Sequence, residues 1–225
     1  MTRVALISGG NRGIGRAVGE GLAEAGLTVV AGARDPDSAS VADGIELQQL
    51  DVTDQASVDA AVAAVGDRHG RLDVLVNSAG ILSWDEPPAT DADFDVMHSI
   101  LEVNLFGAWR LTKAALPLLR AAPEGRIVSL TSGMGSLNDM GGGSPGYRVS
   151  KTALNAMTRI FAAELGDGGV RINVVCPGWV ATDMGTTAAP RTPQEGADSV
   201  VWLATMAADE VPQGGIFRDR APIPW

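Results

Sequence analysis

Ser8-Gly9-Gly10-Asn11-Arg12-Gly13-Ile14-Gly15 stands between a short aliphatic run, Val4 to Ile7, and a segment of helical periodicity, Ile14 to Ala25. Glycines at such a place let the backbone turn tightly. The helix that follows offers unpaired N–H groups and a partial positive charge, a setting for a phosphate. The same alternation repeats along the chain. Aliphatic runs at Thr28 to Ala31, Leu47 to Leu50, Val74 to Val76, Ile127 to Leu130 and Ile172 to Val175 are nearly continuous, as suits strands buried on both faces of a parallel sheet. Gln55 to Arg68, Asp91 to Leu119 and Tyr147 to Leu165 read as the helices between them, with Asp54 an N-cap and Pro117 a bend or stop in the third. The pattern predicts a single α/β domain over residues 1–225, a doubly wound parallel sheet with helices on both faces.

Composition narrows the function. The 225 residues are 45% hydrophobic and 20% charged, and 27 acidic against 17 basic residues give a formal charge of −10. That is a globular chain with a sizeable core, and a poor general ligand for nucleic acid or an anionic membrane. Cys176 is the only cysteine and His69 and His98 the only histidines, so a disulfide, a thiolate cluster and a three-histidine metal site are excluded; no metal is expected. His98 reads as an ordinary helix residue and His69 as solvent-facing. The apolar run at the N-terminus is too short for a signal peptide and none approaches a membrane span, so the expected location is the cytoplasm. Gly141 to Gly146, the softest stretch, falls between a strand and a helix and reads as an active-site loop.

Gly9, Gly13 and Gly15 are spaced Gly-x-x-x-Gly-x-Gly. With Ser8 in place of a threonine, the stretch resembles the fingerprint of the short-chain dehydrogenase/reductase family. That resemblance implies a Rossmann-type fold and a nicotinamide dinucleotide held by Gly9, Asn11, Arg12, Gly13, Ile14 and Gly15. An NAD site usually has an acid at the end of its second strand. Here that position falls on Ala33, followed by Arg34, and Arg12 can approach the same region; two guanidinium groups suit a 2′-phosphate. NADP(H) is therefore expected, with NAD(H) kept open by Asp35, two residues on. Asp51-Val52 and Asn77-Ser78-Ala79-Gly80 resemble the family's adenine-contacting Asp and its Asn-Asn-Ala-Gly motif. Asp51, Val52, Asn77, Ala79 and Gly80 join the expected cofactor site. Taken alone, Asp51 reads as a turn or helix-capping residue.

Tyr147 and Lys151 are four apart on a helix and share a face; Tyr147 is the only tyrosine. A neighbouring ammonium favours phenolate and lowers the phenol pKa, the pairing needed for proton transfer to a carbonyl oxygen. Together with Asn104 and Ser132 they match the family's catalytic tetrad. The resemblance implies that Tyr147 exchanges the proton and Ser132 hydrogen-bonds the reacting oxygen. Lys151 would lower the tyrosine pKa and bind the nicotinamide ribose, and Asn104 would hold a relay water. Thr131 is the fallback for Ser132, and Arg148 is expected to point away. Cys176 to Met184 resembles the family's Pro-Gly turn beside the nicotinamide, which adds Pro177, Gly178, Val180 and Thr182 to the cofactor site.

Met134, Met140, Trp179 and Met184, with Trp84 as a further candidate, suggest a pocket for apolar or aromatic carbonyls. The expectation is an NADPH-dependent carbonyl reductase of broad specificity acting on a ketone/aldehyde and alcohol pair. The alternative is a non-catalytic NADP(H)-binding regulator on the same scaffold. The chain between Ser132 and Tyr147 has no room for the insertion that blocks dimer formation in some relatives, which leaves room for a homodimer or homotetramer.

Overall fold

A computed structural model describes residues 2–225. Strands β1 (Val4–Ser8), β2 (Thr28–Ala33), β3 (Glu46–Gln49), β4 (Val74–Asn77), β5 (Gly125–Leu130), β6 (Val170–Val175), β7 (Ile216–Arg218) and β8 (Ala221–Pro222) form one sheet in the order β3-β2-β1-β4-β5-β6-β7-β8. All pairs are parallel except β7 with β8. The order reverses at β1, which pairs with both β2 and β4; the crevice above such a switch point is where these sheets bind ligands.

The helices are α1 (Gly13–Glu24), α2 (Gln55–His69), α3 (Phe94–Leu101), α4 (Ala108–Ala121), α5 (Pro145–Leu165) and α6 (Pro193–Thr205). Alternate strand residues face opposite sides. Leu6, Leu75, Ile127 and Ile172 pack in one core with residues of α2, α4 and α5, and Ile7, Val29, Val128 and Val175 in another with residues of α1 and α6. Asp54 caps α2 as expected, accepting from Ala56 N at 3.0 Å.

Three expectations are corrected. The long third helix is not uniform: α3 and α4 are joined by a π-helical turn, Glu102–Gly107, a feature often found at functional sites, and this one carries Asn104. Pro117 does not stop α4, which continues to Ala121. Lys113 and Pro117 are both exposed, so the carbonyl that loses its partner faces water. His69, expected in solvent, is partly buried with Nε2 3.3 Å from Glu46 Oε2. No helix among the described residues is long and apolar enough to cross a membrane.

Candidate active site

The turn between β1 and α1 is built by steric necessity. Gly9 and Gly13 have φ of 64° and 53°, values that side chains oppose. A Cβ on Gly15 would lie 2.2 Å from Gly9 O, and one on Gly9 3.1 Å from Ala79 Cα. Ser8 justifies the hydroxyl at its position: Oγ accepts from Ser78 N at 3.1 Å and Ala79 N at 3.2 Å, fastening the exit of β4 to that of β1. Arg12 is the N-cap of α1 and makes no side-chain cap bond, so the first N–H groups of the helix are left to an anion. Thr182 reaches across, its Cγ2 3.3 Å from where a Cβ on Gly13 would stand. Backbone close on several sides and an open helix end fit the pyrophosphate of a dinucleotide.

At the far edge β2 ends on Ala33, with no carboxylate there, and Arg34 is exposed. Asp35 accepts from Ser38 Oγ at 2.8 Å. Asp51 takes the turn role: Oδ1 accepts from Thr53 N at 2.9 Å and Thr53 Oγ1 at 2.7 Å. Those bonds, with Arg34 adding charge attraction, hold its carboxyl below the usual range. Val52 is buried beneath Gly107. Arg12 is solvated, 3.8 Å from Asp183. The Asn77 side chain is turned into the core, where Nδ2 donates to Thr112 Oγ1 and Ser129 Oγ at 3.0 and 3.1 Å. It ties β4 to α4 and β5, while its Oδ1 is buried with no hydrogen-bond partner among the described residues.

Tyr147, Lys151, Ser132 and Asn104 converge above β4, β5 and β6. Tyr147 and Lys151 are buried on one face of α5, with Nζ 5.7 Å from the centre of the phenol ring. Lys151 Nζ donates to Leu130 O at 2.8 Å, and burial brings its pKa down to about 8. For Tyr147 the expected direction is reversed: burial drives the phenol pKa up, and the Ser132 hydroxyl, which favours phenolate, only partly opposes it. The ammonium is engaged by a carbonyl and does not outweigh desolvation. Asn104 uses its amide as a clamp, accepting from Ile81 N at 2.8 Å and donating to Ile81 O at 2.9 Å and Ser150 Oγ at 3.0 Å. Both donors are spent; Oδ1 keeps one acceptor site. A side chain on Gly80 would stand between Asn104 Oδ1, at 3.4 Å, and Lys151 Nζ, at 3.6 Å. Thr131, the fallback for Ser132, bonds Asn155 Oδ1 at 2.6 Å inside the core.

The rim is tied by main-chain carbonyls. Trp84 Nε1 donates to Met184 O at 3.0 Å and Trp179 Nε1 to Gly185 O at 2.7 Å, and both indoles stay half exposed, at 56% and 51%. Val180 is buried against Gly196, and Gly178, at φ 80°, lies beside Arg191. Pro177 O accepts from Arg191 Nη1 at 3.4 Å. Met134 lies two residues after Ser132, its N–H on Ser132 Oγ at 3.1 Å. Arg148 points away from Tyr147 and holds the glycine loop, donating to Gly143 O at 2.8 Å and Gly142 O at 3.0 Å. The sequence reading missed Glu86, whose Oε2 accepts from Gly146 N at 2.6 Å and Oε1 from Tyr147 N at 3.4 Å. Nothing in the local sequence signals a bond spanning 60 positions.

A model of the short chain dehydrogenase family matches residues 3–192. Oxidoreductase UcpA of Escherichia coli K12 is 32% identical over 209 residues, covering 88% of this chain and 77% of that protein. The NADPH-bound carbonyl reductase from chicken fatty liver superposes with a TM-score of 0.86 at 26% identity, over 100% of this chain and 99% of the other. The carbonyl reductase Sniffer of Drosophila melanogaster superposes with a TM-score of 0.89 at 26% identity, over the full length of both. The glycine turn at the switch point and the tyrosine–lysine pair on α5 thus belong to a known lineage, and the chain is an oxidoreductase of the short-chain dehydrogenase family.

Proposed function

We propose that this protein is an NADPH-dependent reductase that converts apolar or aromatic ketones and aldehydes to alcohols, with the reverse reaction open to it. The observation that carries this reading is the convergence of a buried neutral phenol, an ammonium and a serine hydroxyl at the ligand edge of the sheet. The nicotinamide, when bound, supplies the hydride. Its pyrophosphate would be held by Gly9, Asn11, Gly13, Ile14 and Gly15, the adenosine end by Asp51 and Val52, and the nicotinamide end by Ala79, Gly80, Pro177, Gly178, Val180 and Thr182. NADP over NAD is supported by Ala33 at the end of β2, with exposed Arg34 and Arg12 to receive a 2′-phosphate, and by the NADPH in the chicken structure.

At neutral pH burial keeps Tyr147 protonated, the state in which its hydroxyl can donate to a carbonyl oxygen as that oxygen gains charge. Ser132 donates a second hydrogen bond to the same oxygen. Lys151, still cationic below about pH 8, stabilises the tyrosinate left behind. Gly80 keeps clear the space between Lys151 and Asn104 through which the proton is replaced. Trp179, Met184 and Met134, with Trp84, offer an apolar wall to the body of the substrate. Exposed Phe106 in the π-helical turn, Trp109 at the start of α4, and Val149 and Ile160 on α5 supply an apolar face for a second copy of the chain.

The test is NADPH and NADH oxidation with a panel of ketones and aldehydes, comparing wild type with Tyr147→Phe. The expected outcome is turnover favouring NADPH and the bulkier carbonyls, and a loss of at least ~100-fold in kcat in the variant with NADPH binding retained. NADPH binding without turnover of any carbonyl would favour a regulator on this scaffold.

A further inference from the structure

We propose that Glu86 is a positioning residue for Tyr147: its carboxylate, reaching back from the loop after β4, replaces the missing cap of α5 and fixes the turn that carries the phenol. The proposal rests on the reading of Tyr147 as proton donor. Helix α5 starts without a cap of its own. Ser144 lies in the left-handed region at φ 47° and makes no side-chain cap bond, and Pro145 has no N–H to offer. The first two available donors, Gly146 N and Tyr147 N, both turn to Glu86, at 2.6 and 3.4 Å.

The seat is moulded to the carboxylate. A Cβ on Gly146 would meet Glu86 Oε2 at 2.8 Å, Met97 Cα at 3.2 Å and Ile100 Cδ1 at 3.3 Å, so a side chain there would push the carboxylate back from the helix. The bracket bearing Glu86 is itself fastened twice. The Ile81 main chain is clamped by the Asn104 amide at 2.8 and 2.9 Å, and Trp84 bonds Met184 O at 3.0 Å. Glu86 therefore ties the first turn of α5 to Asn104 on one side and to the rim on the other. A shift of that turn would carry the phenol away from Ser132, and proton transfer is lost with small misplacements. The carboxylate also places negative charge against the positive end of α5, which on its own favours tyrosinate. The other ionisable groups near the phenol are Lys151 and Cys176.

The test compares Glu86→Ala and Glu86→Gln with wild type. Glu86→Ala is expected to lower kcat ~10-fold or more, to raise the solvent deuterium isotope effect on kcat, and to leave the NADPH Kd within about twofold. Glu86→Gln, which keeps an acceptor for Gly146 N–H, is expected to restore most of kcat. Because Tyr147 is the only tyrosine, tyrosinate absorbance near 295 nm gives a readout independent of turnover; removing the charge in Glu86→Gln should move its alkaline rise to lower pH. A kcat unchanged in Glu86→Ala despite a lower Tm, a Gln variant as impaired as the Ala variant, or a tyrosinate rise unmoved in both would each overturn the proposal. A wild type that turns over no carbonyl would defeat the reductase reading instead, and the tyrosinate rise would still decide the role of Glu86.

Discussion

Helices α1 and α5 both begin at the ligand edge of the sheet, and they treat the same electrostatic problem in opposite ways. Each start exposes N–H groups without intrahelical partners and a partial positive charge. At α1 the N-cap is Arg12, which makes no side-chain cap bond, with Gly9 and Gly10 before it and Gly13 directly after it. At α5 a carboxylate from a remote loop occupies the place that a ligand would take. An open helix end serves to receive an anion from outside. A filled one serves to hold a side chain still, here the phenol one residue beyond Gly146. The two glycines that crowd these starts, Gly15 and Gly146, are constrained by different neighbours: Gly9 O at 2.2 Å in the first case, Glu86 Oε2 at 2.8 Å in the second.

The strongest way to break the contrast is Gly15→Ala. The added methyl would have to displace the Gly9 carbonyl and the Ser78 hydroxyl, 2.8 Å away, and so deform the turn that leaves α1 open. A rise in the NADPH Kd of ~100-fold or more is expected, about 2.7 kcal/mol, read by titration of NADPH fluorescence on protein whose circular dichroism shows it folded. An unchanged Kd would mean that the start of α1 is not where the dinucleotide is received.

A tenfold effect per pH unit is expected from Lys151, one turn along α5 from the filled end. Burial lowers its pKa from 10.5 to about 8, so the ammonium is present below that pH and lost above it. With the phenol pKa displaced upward, Tyr147 does not titrate first. The kcat/KM for reduction should be level below about pH 8 and fall toward a tenfold loss per unit above it. The linkage has its own sign. Between about 8 and 10.5 the unfolded chain binds more protons than the folded one, so stability rises with pH across that window and thermal unfolding should show it. A flat profile through pH 9 would separate the ammonium from the chemistry.

Legibility in the sequence followed the range of the interactions. The central strands β1, β4 and β5 were visible because each is a short, largely aliphatic run buried on both faces, and Asp54 because a cap acts within two residues. The order Asn104, Ser132, Tyr147 and Lys151 was legible because the resemblance fixes residue types at positions along the chain. What escaped depends on contacts between distant segments. The acidifying effect assigned to Lys151 ignored how deeply α5 is buried and that Leu130 O engages the ammonium. That Asn77 Nδ2 bonds Thr112 and Ser129 was hidden for the same reason, since both lie far along the chain. Pro117 looked like a break because solvent exposure of the Lys113 carbonyl is a property of the packed helix. Glu86 had no signal, since a carboxylate in a proline-flanked loop says nothing of the helix start that it will meet.

The smallest effect isolates capping from chemistry. Asp54 caps α2 much as Glu86 caps α5, its Oδ1 accepting from Ala56 N at 3.0 Å, but α2 carries none of the residues assigned to proton or hydride transfer. Asp54→Ala is therefore expected to cost about 1 kcal/mol of stability, lowering Tm by a few degrees, with the kcat measured well below Tm unchanged. Chemical unfolding and initial rates on the same preparation check both parts. Set beside Glu86→Ala, it asks whether losing a cap is enough to slow the reaction. If Asp54→Ala reduced kcat as far as Glu86→Ala does, the loss would belong to general loosening of the fold, and the filled start of α5 would be no more than a cap.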